Sequence, residues 1–256
     1  MNRRSVAAIL VAAAVAACSG TGFQDIATPI TTGAQIKFCN FAVNGPGVNF
    51  YANTQKMTAI SSTNGQEAVT GVAYGGVGNS GGYSLIDPGT YTLTGKIAAA
   101  TDKDLVVATL SSALADGKYY SYFASGFYNT TSKTEEAFIV EDVLPAVDFN
   151  NAYVRFVNAS SNSVPQILYA KNTTTSVETA LGGAVAYKAG GAFTAIPLGI
   201  YDLNTRAAGS STNLVTRTGV SFIPGRTYTI AIRGDATLPT TGTATTRPVM
   251  DFTANR

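Results

Sequence analysis

The chain has 256 residues, 45% of them apolar, so it can build one or two cored domains and does not have the composition of a disordered chain. Charged residues are only 12%, and a polar surface must come from Ser, Thr, Asn and Gly. There is no His, which removes the commonest general base and metal ligand. The net charge of +2 falls to zero once Arg3 and Arg4 are set aside, leaving 15 basic against 15 acidic residues and no electrostatic case for nucleic acid.

The first residues read MNRRSVAAILVAAAVAAC. Arg3 and Arg4 form a basic start, and Ser5 to Ala14 is an apolar run too short to span a bilayer. That layout predicts a secretory signal peptide over residues 1–17. It ends Val15-Ala16-Ala17-Cys18, which resembles the lipobox of bacterial lipoproteins. The resemblance implies cleavage after Ala17, diacylglycerol on the Cys18 thiol and acylation of the new amine. Several acyl chains anchor stably where one binds only marginally. Ser19, not Asp, follows the Cys, and under the sorting rule of many such lipoproteins this points to the outer membrane.

Residues 18–33, the lipidated Cys and a Gly/Thr/Pro-containing stretch, read as a flexible tether. From residue 34 short alternating segments dominate, among them Tyr91-Thr92-Leu93-Thr94 and Tyr228-Thr229-Ile230-Ala231-Ile232. Turn clusters separate them: NGPG at 44–47, DPG at 87–89, ADG at 115–117 and IPG at 223–225. The pattern predicts an all-β chain of antiparallel, immunoglobulin-like sandwiches, with Leu105 to Ala115 a strand despite its mixed periodicity. Cys39 lies in one such strand. Without a base nearby it reads as a small semi-apolar residue rather than a nucleophile.

The same signals occur twice in the same order. AQIKFCN (34–40) matches AYVRFVN (152–158), Tyr51-Ala52 matches Tyr169-Ala170, and Val72-Ala73-Tyr74 matches Val185-Ala186-Tyr187. DPGTYTL (87–93) matches PLGIYDL (197–203), and LVVATLSSALADGKYYSYFASG (105–126) lies over NLVTRTGVSFIPGRTYTIAIRG (213–234), pairing Val107 with Val215. VED (140–142) and VMD (249–251) complete the set as last strands. The offset drifts from 118 (34 to 152) to 108 (120 to 228), as loop insertions around fixed strands would produce. Tandem sandwiches over 34–147 and 148–256 follow, joined at Leu144-Pro145-Ala146-Val147-Asp148. Tyr91, Tyr120, Tyr201 and Tyr228, each just after a Gly, read as inward structural anchors like a tyrosine corner.

The order of these motifs resembles the family known as domain of unknown function 4397. Its members open with a His-Ala-Ser-Pro-Asp-Ala-Pro-like stretch and Val-Asp-Val-Tyr, then a small-residue Tyr-Gly segment, a Gly-x-Tyr turn and a Gly-x-x-Tyr-Thr strand. Here NFAVNGPGVNFY (40–51) and NASSNSVPQILY (158–169) stand at the opening, with VAYGG, DPGTYTL and FIPGRTYTI after it. The family's His is Asn40 and Asn158; its acid is Asn49 and Ile167. The resemblance implies β-rich domains in an envelope or extracellular setting and no particular activity.

No chemistry-bearing constellation stands out. Asp102 and Asp104 read as surface acids rather than calcium ligands, Glu135, Glu136, Glu141 and Asp142 straddle a strand without a defined cleft, and GVAYGGVGNSGG (71–82) reads as a mobile inter-strand loop. Neither catalytic residues, a metal nor a cofactor is expected. The expected function is a non-catalytic cell-envelope lipoprotein with a structural, adhesion or assembly role. Its partners would be the membrane, reached through lipid on Cys18, and an unidentified protein or glycan, with no nucleic acid. The alternative is a glycan or small-ligand module using loop aromatics such as Tyr83, Phe127 and Tyr128.

Overall fold

A computed structural model describes residues 33–58 and 68–256; the predicted signal peptide, Cys18 and nearly all of the tether lie outside them. Residues from Thr32 to Arg256 form one compact body. Within it the chain builds two sandwich-like units with the same strand order.

The first unit contains β1 (Ala34–Asn40), β2 (Val48–Ala52), β3 (Gln55–Lys56), β4 (Gly76–Val77), β5 (Ser84–Ile86), β6 (Gly89–Ile97), β7 (Val106–Leu114), β8 (Tyr119–Asn129) and β9 (Thr134–Glu141). The second contains β10 (Asn151–Asn158), β11 (Gln166–Asn172), β12 (Glu178–Ala180), β13 (Ala189–Gly190), β14 (Thr194–Pro197), β15 (Gly199–Ala207), β16 (Val215–Phe222), β17 (Thr227–Arg233) and β18 (Val249–Ala254). One sheet of the first unit runs β4-β1-β8-β9 with β5 also on β1, and the other runs β3-β2-β6-β7. The second unit repeats both, as β13-β10-β17-β18 with β14 on β10, and β12-β11-β15-β16. The sheets are not wholly antiparallel: β1 runs parallel to β8, and β10 to β17. Alternation in a sequence reports which face a side chain takes, not which way its neighbour runs, so this pairing left no trace there.

Three apolar clusters hold the body together. One fills the first sandwich around Ile36, Phe38, Phe50, Leu93 and Tyr122. The second fills the other sandwich around Val154, Phe156, Leu203, Phe222 and Ile230. A third joins the units: Cys39, Phe41, Phe123 and Phe138 from the first meet Val157, Ala159 and Ala231 from the second. The sheets carrying β1 and β10 are therefore covered on both faces. Strand β1 is buried nearly throughout, whereas β7, on an outer sheet, alternates between buried and exposed positions.

Beside the third cluster lies a buried polar centre. Arg155 of β10 pairs with Asp142, which follows β9, and both side chains are within 1% of full burial. Arg155 Nε also donates to Thr229 Oγ1 at 2.9 Å, and its Nη1 donates to the Glu141 carbonyl at 3.2 Å. Asp142 accepts from Ser121 Oγ at 2.7 Å and from the Tyr83 hydroxyl. Strand register makes this arrangement a pseudo-twofold. Tyr120 faces Glu141 and Tyr228 faces Ala254, so Glu141 corresponds to Ala254 and Asp142 to Asn255. Lys37, the counterpart of Arg155, donates to the Ala254 carbonyl at 3.0 Å, and burial lowers its amine below the ordinary 10.5. Lys37 lies over the Tyr83 ring at 4.4 Å, as Arg155 lies over Phe193 at 4.9 Å.

The same register corrects one repeat match. VED and VMD lie in or beside corresponding last strands, but the counterpart of Val140-Glu141-Asp142 is Thr253-Ala254-Asn255, four positions further along. A shared acid in both motifs suggested the wrong alignment. The pairing of Val107 with Val215 also slips by one residue. Ala108 faces Gly95 and Val215 faces Thr205, because irregularities fall at different places in the two outer sheets.

The four tyrosines are anchors in matched pairs. Tyr91 donates to the Asp87 carbonyl at 2.8 Å and Tyr201 to the Pro197 carbonyl at 3.0 Å, each four residues back. The Tyr120 and Tyr228 hydroxyls accept from the Ala115 and Ile223 amides, each five residues back. Every ring belongs to a sandwich core or packs against it.

Two outcomes are expected. Removing one member of the buried pair strands the other charge, so Asp142→Ala should cost about 3–5 kcal/mol in urea denaturation. Hydrogen exchange at the Leu93 and Leu203 amides should then show both units weakened together. Tyr201→Phe should cost only about 0.5–1.5 kcal/mol, the value of one net hydrogen bond, by the same measurement.

Candidate functional site

The acids, the thiol and the aromatics that the sequence offered for weighing are scattered. Asp102 is held by Lys133 at 2.7 Å, an exposed pair. Asp142 belongs to the polar centre between the units. Glu136 bonds the Tyr187 hydroxyl at 3.1 Å and pairs with Lys188 at 2.6 Å, both across the unit boundary. Among the described residues no three His, Cys, Asp or Glu side chains converge where a metal ion could be held. Cys39 is buried in the third cluster, and burial pushes its thiol up to about 12. Thiolate chemistry at neutral pH is thereby disfavoured. The loop aromatics do not form a row. Tyr83 sits in the polar centre edge-on to Tyr119 at 5.2 Å, Tyr128 packs on the first core, and Phe127 lies half exposed near the far end of β8.

The Gly-rich stretch 71–82 is a packed element rather than a free loop. It contains β4, a tight turn (Gly78–Gly81) with Asn79 and Ser80 in the left-handed region, and Gly75 at φ +79°. A Cβ on Gly75 would stand 2.5 Å from the Arg233 guanidinium of the second unit. Arg233 also stacks over Tyr74 at 4.5 Å and over Phe41 at 5.6 Å. The Tyr74 and Tyr187 repeat signal is thus a pair of clamps across the boundary between the units.

One concavity has the form of a binding site, and sequence reasoning missed it. It is a cavity of about 230 Å³ at the loop end of the second sandwich. Its floor is Gln166 from the start of β11, with Val215 and Ile232. One wall is the segment from Ser160 to Val164, and the opposite wall comes from the β17–β18 connection through Ala236, Leu238, Thr240 and Pro248. Polar bonds tie the walls together. Ser160 Oγ donates to the Gly234 carbonyl at 2.7 Å, Asn162 Nδ2 donates to Asp235 at 2.6 Å, and the Ala236 amide donates back to Asn162 Oδ1 at 2.9 Å. Bonds from Thr237 and Asn162 hold the Asp235 carboxyl below its ordinary range. Gly234, at φ +105°, permits the turn: a Cβ there would stand 2.4 Å from the Arg247 carbonyl oxygen.

The first unit closes the same end differently. Gly126 and Glu135 correspond to Gly234 and Pro248. Between them the first unit has eight residues, 127–134, forming most of a tight β8–β9 hairpin; the second has thirteen, 235–247. Glu135 lies under the 42–47 loop, its Oε2 standing 2.7 Å from where a Gly45 Cβ would be. Neither Glu135 oxygen has a partner, nor does the enclosed Tyr122 hydroxyl, and burial raises the Glu135 carboxyl from 4.5 to about 8.

Residues 34–168 match a family model described as a domain of unknown function, DUF4397. The chain belongs to this family. The match covers the first sandwich and continues into β11 of the second. Two stretches within the match border the ends just described, NGPGV (44–48) against Glu135 and SNSVPQ (161–166) at the cavity. No curated protein matches the chain.

Glu135 makes a pH prediction. Its folded-state value exceeds that of the unfolded chain, so its contribution is fully present below about 4.5. That contribution falls as pH rises and is lost through about 8. Thermal unfolding between pH 4.5 and 8 should show a declining Tm in the parent chain and a flatter profile in Glu135→Gln.

Proposed function

We propose that this family member is a lipid-anchored cell-envelope protein. It would display its paired sandwiches in a non-catalytic structural, adhesion or assembly role. The observation that carries this reading is the N-terminal order of basic pair, short apolar run and Val15-Ala16-Ala17-Cys18, with Cys18 as the lipidated residue and Ser19 favouring the outer membrane.

The geometry of the body supports it. The described chain begins at Gly33, whose carbonyl accepts from the Gly117 amide at 3.0 Å. Two strands across the same sheet end, the Asp142 amide bonds the Tyr119 carbonyl, and the segment joining the units starts there. That segment exposes Val143, Val147 and Phe149, the last 84% accessible, and Ile223 is exposed on the turn that ends at Gly225, against which Phe149 and Val147 pack. Fourteen residues lie between Cys18 and Gly33. The chain thus enters the body at this apolar end, and the second unit's cavity lies at the opposite end of that unit's strands.

The reading is tested by intact-mass analysis of the mature chain from cell membranes. The expected product begins at Cys18 and carries acyl mass. Cys18→Ala should retain the unprocessed leader and lose the acyl mass. A mature chain with unmodified Cys18 would overturn the anchor.

A further inference from the structure

We propose that the second sandwich docks on the lipid bilayer through the end of its strands away from the cavity, with Val147, Phe149, Leu198 and Ile223 among the acyl chains. The proposal rests on the lipid anchor at Cys18 and adds a second contact, made by the folded body itself. Three separate segments bring these side chains together. Val147 and Phe149 come from the segment joining the units and lie against the turn at Gly225, where a Cβ would stand 3.8 Å from Val147 and 3.7 Å from Phe149. Asn151 faces Pro197 and Gly199 faces Phe222, which sets Leu198 between that segment and Ile223.

All four are large apolar side chains left exposed, Phe149 most of all, and none belongs to the buried set that fills either sandwich. A contiguous apolar surface of this kind marks a contact with something other than water. The duplication inside the chain sharpens the point. On the matching turns of the first unit, Pro88 stands where Leu198 does and Ala115 where Ile223 does, with Asp87 and Asp116 exposed beside them. The same turns close a sandwich without large apolar residues, so the fold does not require Leu198 or Ile223. The acidic turns of the first unit confine the contact to the second. Asp148, the acid of the joining segment, has its carboxylate engaged by the Asn150 amide and Asn151 Nδ2, each at 2.8 Å. Arg226, exposed just after Gly225, is placed to keep its charged head at the phosphate level while its neighbours go deeper.

The place where the chain enters the body selects the bilayer as the occupant. Gly33 is bonded to Gly117 at this same end, and fourteen residues lie between Gly33 and Cys18. With Cys18 acylated, a contact made by this end with lipid is intramolecular and needs little intrinsic affinity, so a few side chains are enough. A second copy of the chain would have to be held by the same few side chains against the full cost of association.

The chain contains no Trp, so Phe149→Trp introduces a single indole reporter at the centre of the surface. The mature variant is purified from membranes, its acyl mass is measured, and it is reconstituted into phosphatidylcholine vesicles, either plain or brominated on the acyl chains. Brominated lipid should quench most of the indole emission. Adding Leu198→Asp and Ile223→Asp, both at exposed positions, should restore most of that emission with the Tm unchanged. A reporter placed by Phe127→Trp, near the far end of β8, should emit equally in both lipids. Equal emission of Phe149→Trp in plain and brominated vesicles overturns the docking, and a blue shift that grows with protein density in both would assign the surface to a second copy instead. Quenching that survives the two added substitutions, or that affects Phe127→Trp to the same degree, also overturns it. Acyl mass without quenching sinks the docking alone, whereas missing acyl mass sinks the anchor and the docking together.

Discussion

The packing of the β1 sheet against the β10 sheet is the constraint on which the rest depends. Each of these sheets serves two cores at once, its own sandwich on one face and the opposite unit on the other. Every residue of β1 and β10 must therefore suit a buried environment, and the one charged residue in each must find compensation inside. Arg155 has a carboxylate partner, Asp142, whereas Lys37 has a backbone carbonyl and the Tyr83 ring. The asymmetry follows from one difference in the duplicated sequence: the residue after β9 is Asp142, and its counterpart after β18 is Asn255. One ion pair then serves a centre in which two like-charged basic groups approach, and Asn255 bridges to Tyr83 at 2.6 Å. Breaking a pair so enclosed leaves an uncompensated charge, which is why this contact governs the joint stability of the units.

That packing also decides what each copy is free to change. The covered faces keep matched residues: tyrosine clamps at Tyr74 and Tyr187, and basic residues at Lys37 and Arg155. At Gly190 a Cβ would stand 2.8 Å from Val140, so close approach between units demands a small residue there. The loop ends, away from the boundary, have diverged. The first unit closes its end with a tight hairpin and a buried Glu135, while the second opens a cavity beneath a longer connection. Duplication with one conserved face and one divergent end allows a new pocket to arise while the shared face still supports the fold.

The polar groups left unpaired follow the same division. In the first unit Tyr122 and Glu135 are enclosed together, so the carboxyl takes its neutral form until pH approaches 8. In the second, Ile230 stands where Tyr122 does and Pro248 where Glu135 does, and the unpartnered groups are the Gln166 side-chain oxygen and the Thr205 and Thr227 hydroxyls. The two ends thus differ on one scaffold: one encloses an acid, and the other opens a cavity lined mostly by neutral side chains.

Much of the architecture was legible in the sequence because it rests on local rules. Alternation marks strands such as β6 and β17, Pro-Gly and Asp-Gly mark turns, and the Gly-then-Tyr spacing marks the four anchors whose hydroxyls bond a backbone group four or five residues away. The two-copy order was legible for the same reason, since each strand carries its own signature. Strand direction, the true counterpart of the VED segment and the face-to-face stacking of the units were not, because they depend on pairings between residues as far apart as Lys37 and Ala254. A basic residue in mid-strand at the same place in AQIKFCN and AYVRFVN was the one available hint of a second buried face. The cavity left a fainter trace, a Gln where the first copy has Val and five additional residues before the last strand. Only the tertiary structure brings Gln166, Ser160 and Leu238 around one space, because burial and partnership are properties of neighbours that the chain order does not record.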